Sequence, residues 1–271
     1  MYQQYQDFIE VLLNEASNIA LRYFGKTKST VKAEDNNQVL TEADLMIGKA
    51  LLKLIEEKYP SYNVIDEEAG VIDKKSDYTW VIDPIDGTSN FANGLPLFGS
   101  IVGLLYKNKS VAGGIALPYF EKKIIATKQN GAYSNGTKIS VSKEDKLSNS
   151  LIAYGIDGHP EKPEITTRDC ALLAEIVLNI RNLRISNSVF DIAMVAEGKY
   201  GACLNQTSKI WDNVGSQIII EEAGGIYTDY FGKPIDYSNS LGRIKDNFTF
   251  CLGAVQLHSS LQDIIHRYVY E

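Results

Sequence analysis

The sequence predicts a layered protein of mixed helix and strand, in which an α+β half precedes an α/β half. Two amphipathic helical segments open the chain, and strand-like segments joined by hairpin turns follow them. Beyond the middle of the chain, short apolar strands alternate with helical segments, as in α/β proteins. At 271 residues the chain is long enough to bury a substantial core, as one large domain or two intimate ones.

The N-terminal segment predicts two helices separated by a polar loop. Apolar residues recur at helical spacing from Tyr5 onward, which predicts a helix that ends near Gly25. The segment 26–38 is polar and aperiodic, and we expect a mobile loop there. Thr41 then starts a second helix, which stops before Pro60.

Strands dominate the rest of the first half. β-branched and aromatic residues favour strands over 64–66, 78–83, 98–106, 110–117, 123–128 and 132–134. The triplet 107–109 and the pair Asn135-Gly136 are typical hairpin turns, so we expect a mainly antiparallel sheet. The polar stretch 140–151 predicts a boundary between an N-terminal α+β subdomain over 1–145 and a C-terminal α/β subdomain over 146–271.

The second half predicts alternating elements. The predicted strands cover 152–154, 182–185, 202–204, 225–228 and 248–252. The predicted helices cover 166–178, 189–199, a segment that begins near Trp211, and 259–268.

The composition argues against several classes of function. The net charge is −7 and no run of Lys or Arg forms a basic stripe, so we expect no nucleic-acid partner. No apolar run approaches the ~18 residues that a membrane span needs, and the first residues do not resemble a signal peptide. The 3 cysteines are isolated and suit a reducing compartment. We therefore expect a cytoplasmic protein without a membrane partner.

The segment 80–91 is the most informative part of the chain. A predicted strand ends at Asp83, and Asp86 follows three residues later. Gly87 removes the Cβ where a backbone must approach a ligand, and either of the next two residues can cap a following helix. The free N–H groups of a helix N-terminus bind anions. The segment can therefore hold a divalent cation and a phosphate side by side.

Acids also mark other element ends in the chain. Asp44 follows a predicted helix start, Glu67 follows a short strand, and Asp212 follows Trp211. Two Mg²⁺ ions about 3.5–4 Å apart can stabilise the attacking and leaving oxygens of a phosphoryl displacement, and they need oxygen ligands. Because the chain is acidic, bound cations must neutralise the site before an anionic substrate can enter.

These blocks, in this order from about Thr41 to Gly225, resemble the inositol monophosphatase family, within the Mg²⁺-dependent, lithium-sensitive superfamily of sugar and polyol phosphatases. The resemblance implies an αβαβα sandwich of the inositol monophosphatase and fructose-1,6-bisphosphatase type, with the site where the two halves meet. It also implies a homodimer and two or three Mg²⁺ ions per site.

The resemblance further implies a set of metal ligands. Glu67, Asp83 and the Ile85 carbonyl would bind the first ion. Asp83 would bridge to a second ion, held also by Asp86 and Asp212. A third, weaker ion is expected near Glu67.

The resemblance also implies the catalytic groups. The nucleophile is a water, which Glu67, Asp44 and Thr88 would position, with Asp44 orienting the Thr88 hydroxyl. Backbone N–H groups would bind the phosphate at Gly87, Thr88 and Ser89. Lys32 lies in the polar loop, where the family often carries a lysine that closes over the metals.

The substrate wall departs from the family pattern. Relatives commonly carry a Gly-Thr/Ser-Ala-Ala run and a glutamate that contact the substrate hydroxyls, and the corresponding positions here are Ser186, Asn187, Ser188 and Asn205. We therefore expect hydrolysis of a small polyol or sugar phosphate. Histidinol phosphate and fructose bisphosphate remain alternative substrates. An idle protein that binds metal or phosphate for regulation is the alternative from another class.

Overall fold

The computed structural model describes residues 2–26, 29–32 and 35–270, of which 29–32, 35–39 and 269–270 are described by their backbone alone. The helices are α1 (Gln4–Tyr23), α2 (Glu42–Lys58), α3 (Thr88–Ala92), α4 (Pro163–Asn179), α5 (Val189–Ala196), α6 (Ile210–Glu222) and α7 (Val255–Tyr270). The first ten strands are β1 (Ser29–Lys32), β2 (Asp35–Thr41), β3 (Asn63–Asp66), β4 (Gly70–Ile72), β5 (Tyr78–Asp86), β6 (Gly99–Tyr106), β7 (Lys109–Leu117), β8 (Lys122–Thr127), β9 (Ala132–Ser134) and β10 (Thr137–Lys138). The remaining strands are β11 (Leu151–Gly155), β12 (Asn182–Arg184), β13 (Ala202–Ser208), β14 (Ile226–Thr228) and β15 (Phe248–Gly253).

Two sheets carry the fold. The larger has eight strands in the order β10-β9-β8-β7-β6-β5-β3-β4, and its neighbours are antiparallel except for the parallel pair of β3 and β5. The smaller has five strands in the order β12-β11-β13-β15-β14, with parallel pairing on both sides of β11. The antiparallel first half and the parallel pairs of the second half confirm the two predicted patterns.

Alternation along the strands of the large sheet builds the layers. Trp80 and Ile82 of β5 share a core with α1 and α2, whereas Val81 between them packs with residues of α6. Helices α5 and α6 contact each other and both sheets, while α4 and α7 pack together on the small sheet. The result is the layered αβαβα sandwich that the resemblance implied.

Glycines let α6 approach the large sheet closely. A Cβ on Gly215 of α6 would lie 2.6 Å from the carbonyl oxygen of Val102, and a Cβ on Gly103 would lie 2.6 Å from the Gly215 nitrogen. A Cβ on Gly113 would meet the Gly215 carbonyl oxygen at 2.5 Å. Since none of these approaches is compatible with a side chain, the three glycines determine how close α6 lies to the strands.

Three predictions about local structure were wrong. The segment 26–38 is not a loop throughout, because its described residues include β1 and most of β2, paired antiparallel from Ser29↔Thr41. The backbone hydrogen bonds of such a hairpin need no side-chain periodicity, so the sequence pattern could not reveal it. Strand β4 was not among the predicted strands, and β5 continues past Asp83 to Asp86.

The boundary near residue 145 stays a prediction. One core cluster includes Ile115 of the large sheet, Ile219 of α6 and Leu252 of the small sheet, so apolar packing is continuous between the two halves.

Among the described residues, every helix is too short or too polar to cross a membrane.

The close approach of α6 generates a prediction about stability. Gly215→Ala should lower the free energy of unfolding by about 1–3 kcal/mol, because the added methyl group overpacks the contact with Val102. Urea denaturation measures the effect. Gly158→Ala is the control, since a Cβ there meets nothing within 4 Å. Equal stability of the two variants would contradict the proposed contact.

Candidate metal centre and its cleft

A cleft of about 770 Å³ brings together residues from both halves of the chain. Its lining includes the segment after β3, the end of β5, the start of α3, the loops after β11 and β12, and the start of α6. Nearly all predicted site residues line it, namely Glu67, Asp83, Ile85, Asp86, Gly87, Thr88, Ser89, Ser186, Asn187, Ser188, Asn205 and Asp212. Asp44 contacts the cleft through Thr88.

Three carboxylates form the centre of the cleft. Asp83, Asp86 and Asp212 each place an oxygen within 4.8 Å of the others. Asp83 is only 2% exposed, and its Oδ1 is buried without a hydrogen-bond partner in the described structure. A cluster of this kind offers hard oxygen ligands to a divalent cation.

An irregularity in β5 brings Asp83 and Asp86 to the same site. Asp83 pairs with Ile101 and Asp86 pairs with Gly99, so three steps along β5 match two along β6. In a regular strand, residues three apart face opposite sides of the sheet. The extra residue in β5 therefore places Asp83 and Asp86 on the same side of the sheet. The Ser100 hydroxyl stabilises this irregular backbone by donating to the Pro84 carbonyl at 2.6 Å.

Burial and mutual repulsion disfavour ionisation of the cluster. Burial raises the pKa of Asp83 well above its ordinary value, and the charges of Glu67, Asp86 and Asp212 raise it further. Burial also raises the pKa of Asp86 well above its ordinary value, and the charge of Asp212 adds to the effect. Burial raises the pKa of Asp212 to about 6 despite a hydrogen bond from Lys209.

Backbone N–H groups at helix starts hold two of these carboxylates. The Lys209 N–H donates to Asp212 Oδ2 at 2.6 Å, just before α6. The Val189 N–H, the first of α5, donates to Asp86 Oδ1. The positive end of a helix dipole favours a negative charge at both positions.

Glu67 follows β3 in a tight turn. The Glu67 N–H donates to the Ile82 carbonyl oxygen at 3.2 Å, which ties the turn to β5. Asp66 caps the turn, because its Oδ1 accepts from the N–H groups of Glu68 at 2.9 Å and Ala69 at 2.7 Å. Asp66 thus has a structural role in this turn.

Asp44 and Thr88 lie within reach of each other. Thr88 Oγ1 donates to the Ile85 carbonyl oxygen at 2.8 Å and lies 3.4 Å from Asp44 Oδ1. Asp44 is fully buried, and its Oδ2 accepts from the Thr41 N–H at 2.8 Å and from the Thr41 hydroxyl at 2.5 Å. Burial raises the pKa of Asp44 to about 6 against the effect of these bonds.

Gly87 allows the chain to turn from β5 into α3. Its φ is 85°, and a Cβ there would lie 2.7 Å from Ser188 Cβ and 2.9 Å from the Leu97 carbonyl oxygen. Gly87 itself is the N-cap, so the expectation that Thr88 or Ser89 caps the helix was wrong. The turn needs a left-handed backbone at this position, and glycine adopts that conformation without steric cost because it has no side chain.

The predicted substrate wall is joined by a residue that sequence reasoning missed. Asp157 lines the cleft and accepts a hydrogen bond from Asn187 Nδ2 at 2.9 Å. An acid three residues beyond the end of a predicted strand was the available signal. His159 also lines the cleft. The Lys32 side chain lies outside the described residues.

Comparisons with known proteins agree with this geometry. The sequence profile of the inositol monophosphatase family matches residues 1–266. The chain is 30% identical over 243 residues to inositol monophosphatase 1 of Bos taurus, covering 87% of each chain. It is 28% identical over 256 residues to a fructose-1,6-bisphosphatase/inositol-1-monophosphatase of Aquifex aeolicus, covering 92% of this chain and 94% of the relative. A solved inositol monophosphatase from Anabaena superposes with a TM-score of 0.82 at 25% identity, covering 98% of this chain and 96% of that one.

The raised pKa of Asp212 generates a prediction about pH. Because the pKa rises from 3.8 to about 6 on folding, the stability from its protonated form is complete below pH 3.8 and lost as pH rises through about 6. In chelator, Asp212→Asn should therefore gain stability relative to wild type between pH 4 and pH 7, on the order of 2 kcal/mol.

Urea denaturation across this pH range tests the prediction. The exposed Asp263→Asn on α7 is the control and should follow the wild type. A difference between Asp212→Asn and wild type that does not change with pH would contradict the assigned cause.

Proposed function

We propose that this chain, which belongs to the inositol monophosphatase family and is a phosphoric monoester hydrolase, acts with Mg²⁺ on a small polyol or sugar phosphate. The observation that carries the proposal is the cluster of Asp83, Asp86 and Asp212 in the cleft, in which Asp83 is buried and the other two are half-buried. Three mutually repelling carboxylates in one such site need a cation to ionise together.

The donor set fits Mg²⁺. Its members are hard oxygen ligands, and the partnerless Asp83 Oδ1 is an oxygen that a cation would satisfy. We assign Glu67, Asp83 and the Ile85 carbonyl to one ion, and Asp83, Asp86 and Asp212 to a second. A third ion near Glu67 completes the proposed set. Bound Mg²⁺ would neutralise the phosphate charge and lower the pKa of a water.

Thr88 and Asp44 are proposed to move the proton of the attacking water. The Thr88 oxygen can accept a hydrogen bond from that water while its own proton is shared with Asp44 or Ile85. A general base works best with a pKa near the operating pH, and the pKa of Asp44 is raised to about 6. Glu67, which also lines the cleft, would help to position the same water.

The start of α3 is proposed to hold the phosphate. The first hydrogen bond of this turn joins the Phe91 N–H to the Gly87 carbonyl, so the N–H groups of Thr88 and Ser89 precede it. Both residues line the cleft beside the carboxylates. Gly87 has no Cβ, which lets the turn into α3 approach Ser188 and the Leu97 carbonyl closely.

A regulatory protein that only binds metal or phosphate is the weaker proposal. Such a protein has no need of an Asp44–Thr88 pair beside the carboxylates, whereas a hydrolase uses it to handle a proton. The resemblance also supports a cytoplasmic homodimer. Histidinol phosphate and fructose bisphosphate stay alternative substrates of the same mechanism.

Metal dependence is the direct test of the proposed function. Phosphate release from small phosphomonoesters should disappear in excess EDTA and return with Mg²⁺, and Mg²⁺ should also raise the melting temperature. Asp86→Asn should lower kcat by at least about 100-fold, because it removes a proposed ligand of the second ion. Undiminished turnover in EDTA would contradict the metal mechanism.

The role of Thr88 is tested by a matched pair of variants. Thr88→Ala should lower kcat by about 100-fold, because the proton path is lost, whereas Thr88→Ser keeps the hydroxyl and should stay within about tenfold. Melting temperatures and Mg²⁺ affinities verify that both variants keep the site. Equal activity of the two variants would remove the Thr88 hydroxyl from the mechanism.

A further inference from the structure

A chain of hydrogen-bonded polar side chains forms part of the cleft wall beside the carboxylate cluster. Asp157 Oδ1 accepts from Asn187 Nδ2 at 2.9 Å, and Asp157 Oδ2 accepts from the Thr207 hydroxyl. Asn205 Oδ1 accepts from the Thr207 N–H at 2.6 Å, and Thr207 Oγ1 lies 3.1 Å from the same oxygen. The four side chains come from three loops and strands, and all line the cleft.

Gly155 makes room for this network. It is paired with Asn205 across the parallel strands β11 and β13. A Cβ on Gly155 would lie 2.5 Å from Asn205 Nδ2 and 2.8 Å from Asn187 Oδ1, so both amides pack over its Cα. The backbone of Asn187 has a positive φ of 54°, which places its amide over Gly155. The network is therefore packed in place, and Asp157 is held in one orientation.

Asp157 keeps binding capacity toward the cleft. A carboxylate can accept about four hydrogen bonds, and each oxygen of Asp157 accepts one bond from the network. Its side chain is half-buried at the cleft surface. The remaining lone pairs can accept hydrogen bonds from a bound molecule.

Neighbouring lysines do not neutralise this part of the wall. Lys209 turns its ammonium group to the carbonyl oxygens of Lys245 at 3.2 Å and Asp246 at 3.5 Å. Lys162 is exposed at the rim next to Glu161, which opposes its charge. The charge of Asp157 reaches the metal site, since it adds to the burial that raises the pKa of Asp212.

We propose that Asp157 determines specificity by accepting hydrogen bonds from hydroxyl or ammonium groups of the leaving group and by disfavouring a second phosphate there. This inference rests on the proposed phosphatase function. Asn205 then acts through Thr207 and is a positioning residue for Asp157, which differs from its expected direct role in substrate choice. Position 205 carries an amide where relatives commonly carry a glutamate. Asp157, just after the neighbouring strand β11, supplies a carboxylate instead.

Matched substrates test the inference. Glycerol 1-phosphate and propyl phosphate differ only in hydroxyl groups, and 2-aminoethyl phosphate and ethyl phosphate differ only in an ammonium group. In Asp157→Asn the preference in kcat/KM for the donor-bearing member should fall about tenfold. The pair that loses its preference identifies the donor. Fructose 1,6-bisphosphate should gain relative to fructose 6-phosphate.

Two further variants make the test specific. Glu161→Gln removes a rim carboxylate outside the network and should keep every ratio. Asn205→Glu combined with Asp157→Asn moves the carboxylate by one strand and should recover part of the preference. Each ratio is measured within one preparation, so a partly unfolded variant still yields a valid value.

A binding measurement distinguishes failure of the Asp157 proposal from failure of the proposed phosphatase function. With Ca²⁺ in place of Mg²⁺, calorimetry measures the affinity ratio for glycerol 1-phosphate and propyl phosphate without relying on turnover. A ratio that Asp157→Asn leaves unchanged overturns the role of Asp157, while Mg²⁺-dependent hydrolysis of propyl phosphate upholds the proposed function. A ratio that falls without any turnover upholds Asp157 and overturns the phosphatase mechanism.

Discussion

The mutual repulsion of one buried and two half-buried carboxylates is the constraint on which the rest of the cleft depends. Asp83, Asp86 and Asp212 lie within 4.8 Å of one another, and burial disfavours the charge of each. Helix starts provide part of the compensation, because N–H groups at the beginnings of α5 and α6 donate to Asp86 and Asp212. Asp44 is held in the same way at the start of α2. Three helix N-termini therefore converge on one acidic site, and the proposed cation would complete the balance of charge.

The positions of these acids come from two devices in the large sheet. The extra residue in β5 brings Asp83 and Asp86 to one side, and the glycine contacts of Gly103 and Gly113 with Gly215 place α6 against the strands. Asp212 lies one turn before Gly215, so the backbone contact also determines where this carboxylate stands. The packing that holds α6 against the large sheet therefore also places Asp212 in the proposed metal site. A change that shifts α6 moves a proposed metal ligand with it.

The proposed substrate wall and the proposed metal ligands lie on different parts of the fold. The acids of the cluster come from the large sheet and α6, whereas Asp157 and Asn205 come from the ends of β11 and β13 in the small sheet. These two strands are parallel neighbours, and their carboxyl ends meet at one edge, where ligands of α/β sheets bind. The wall can therefore change its chemistry while the metal centre keeps its own. The exchange of a carboxylate between positions 205 and 157 would be an example.

The sequence by itself determined most elements, the family and the acids of the centre, because the strand-turn-helix motif at Asp83–Asp86 and the apolar periodicities are local. The sequence did not reveal, however, on which side of the sheet Asp86 lies, because that depends on an irregular pairing of β5 with β6. The β1–β2 hairpin was missed because backbone pairing leaves no periodic signal. Asp157 was missed because its partners, Asn187 and Thr207, lie 30 and 50 residues away along the chain. Only the tertiary structure brings such residues together, since parallel strands align chain segments that have no local relation.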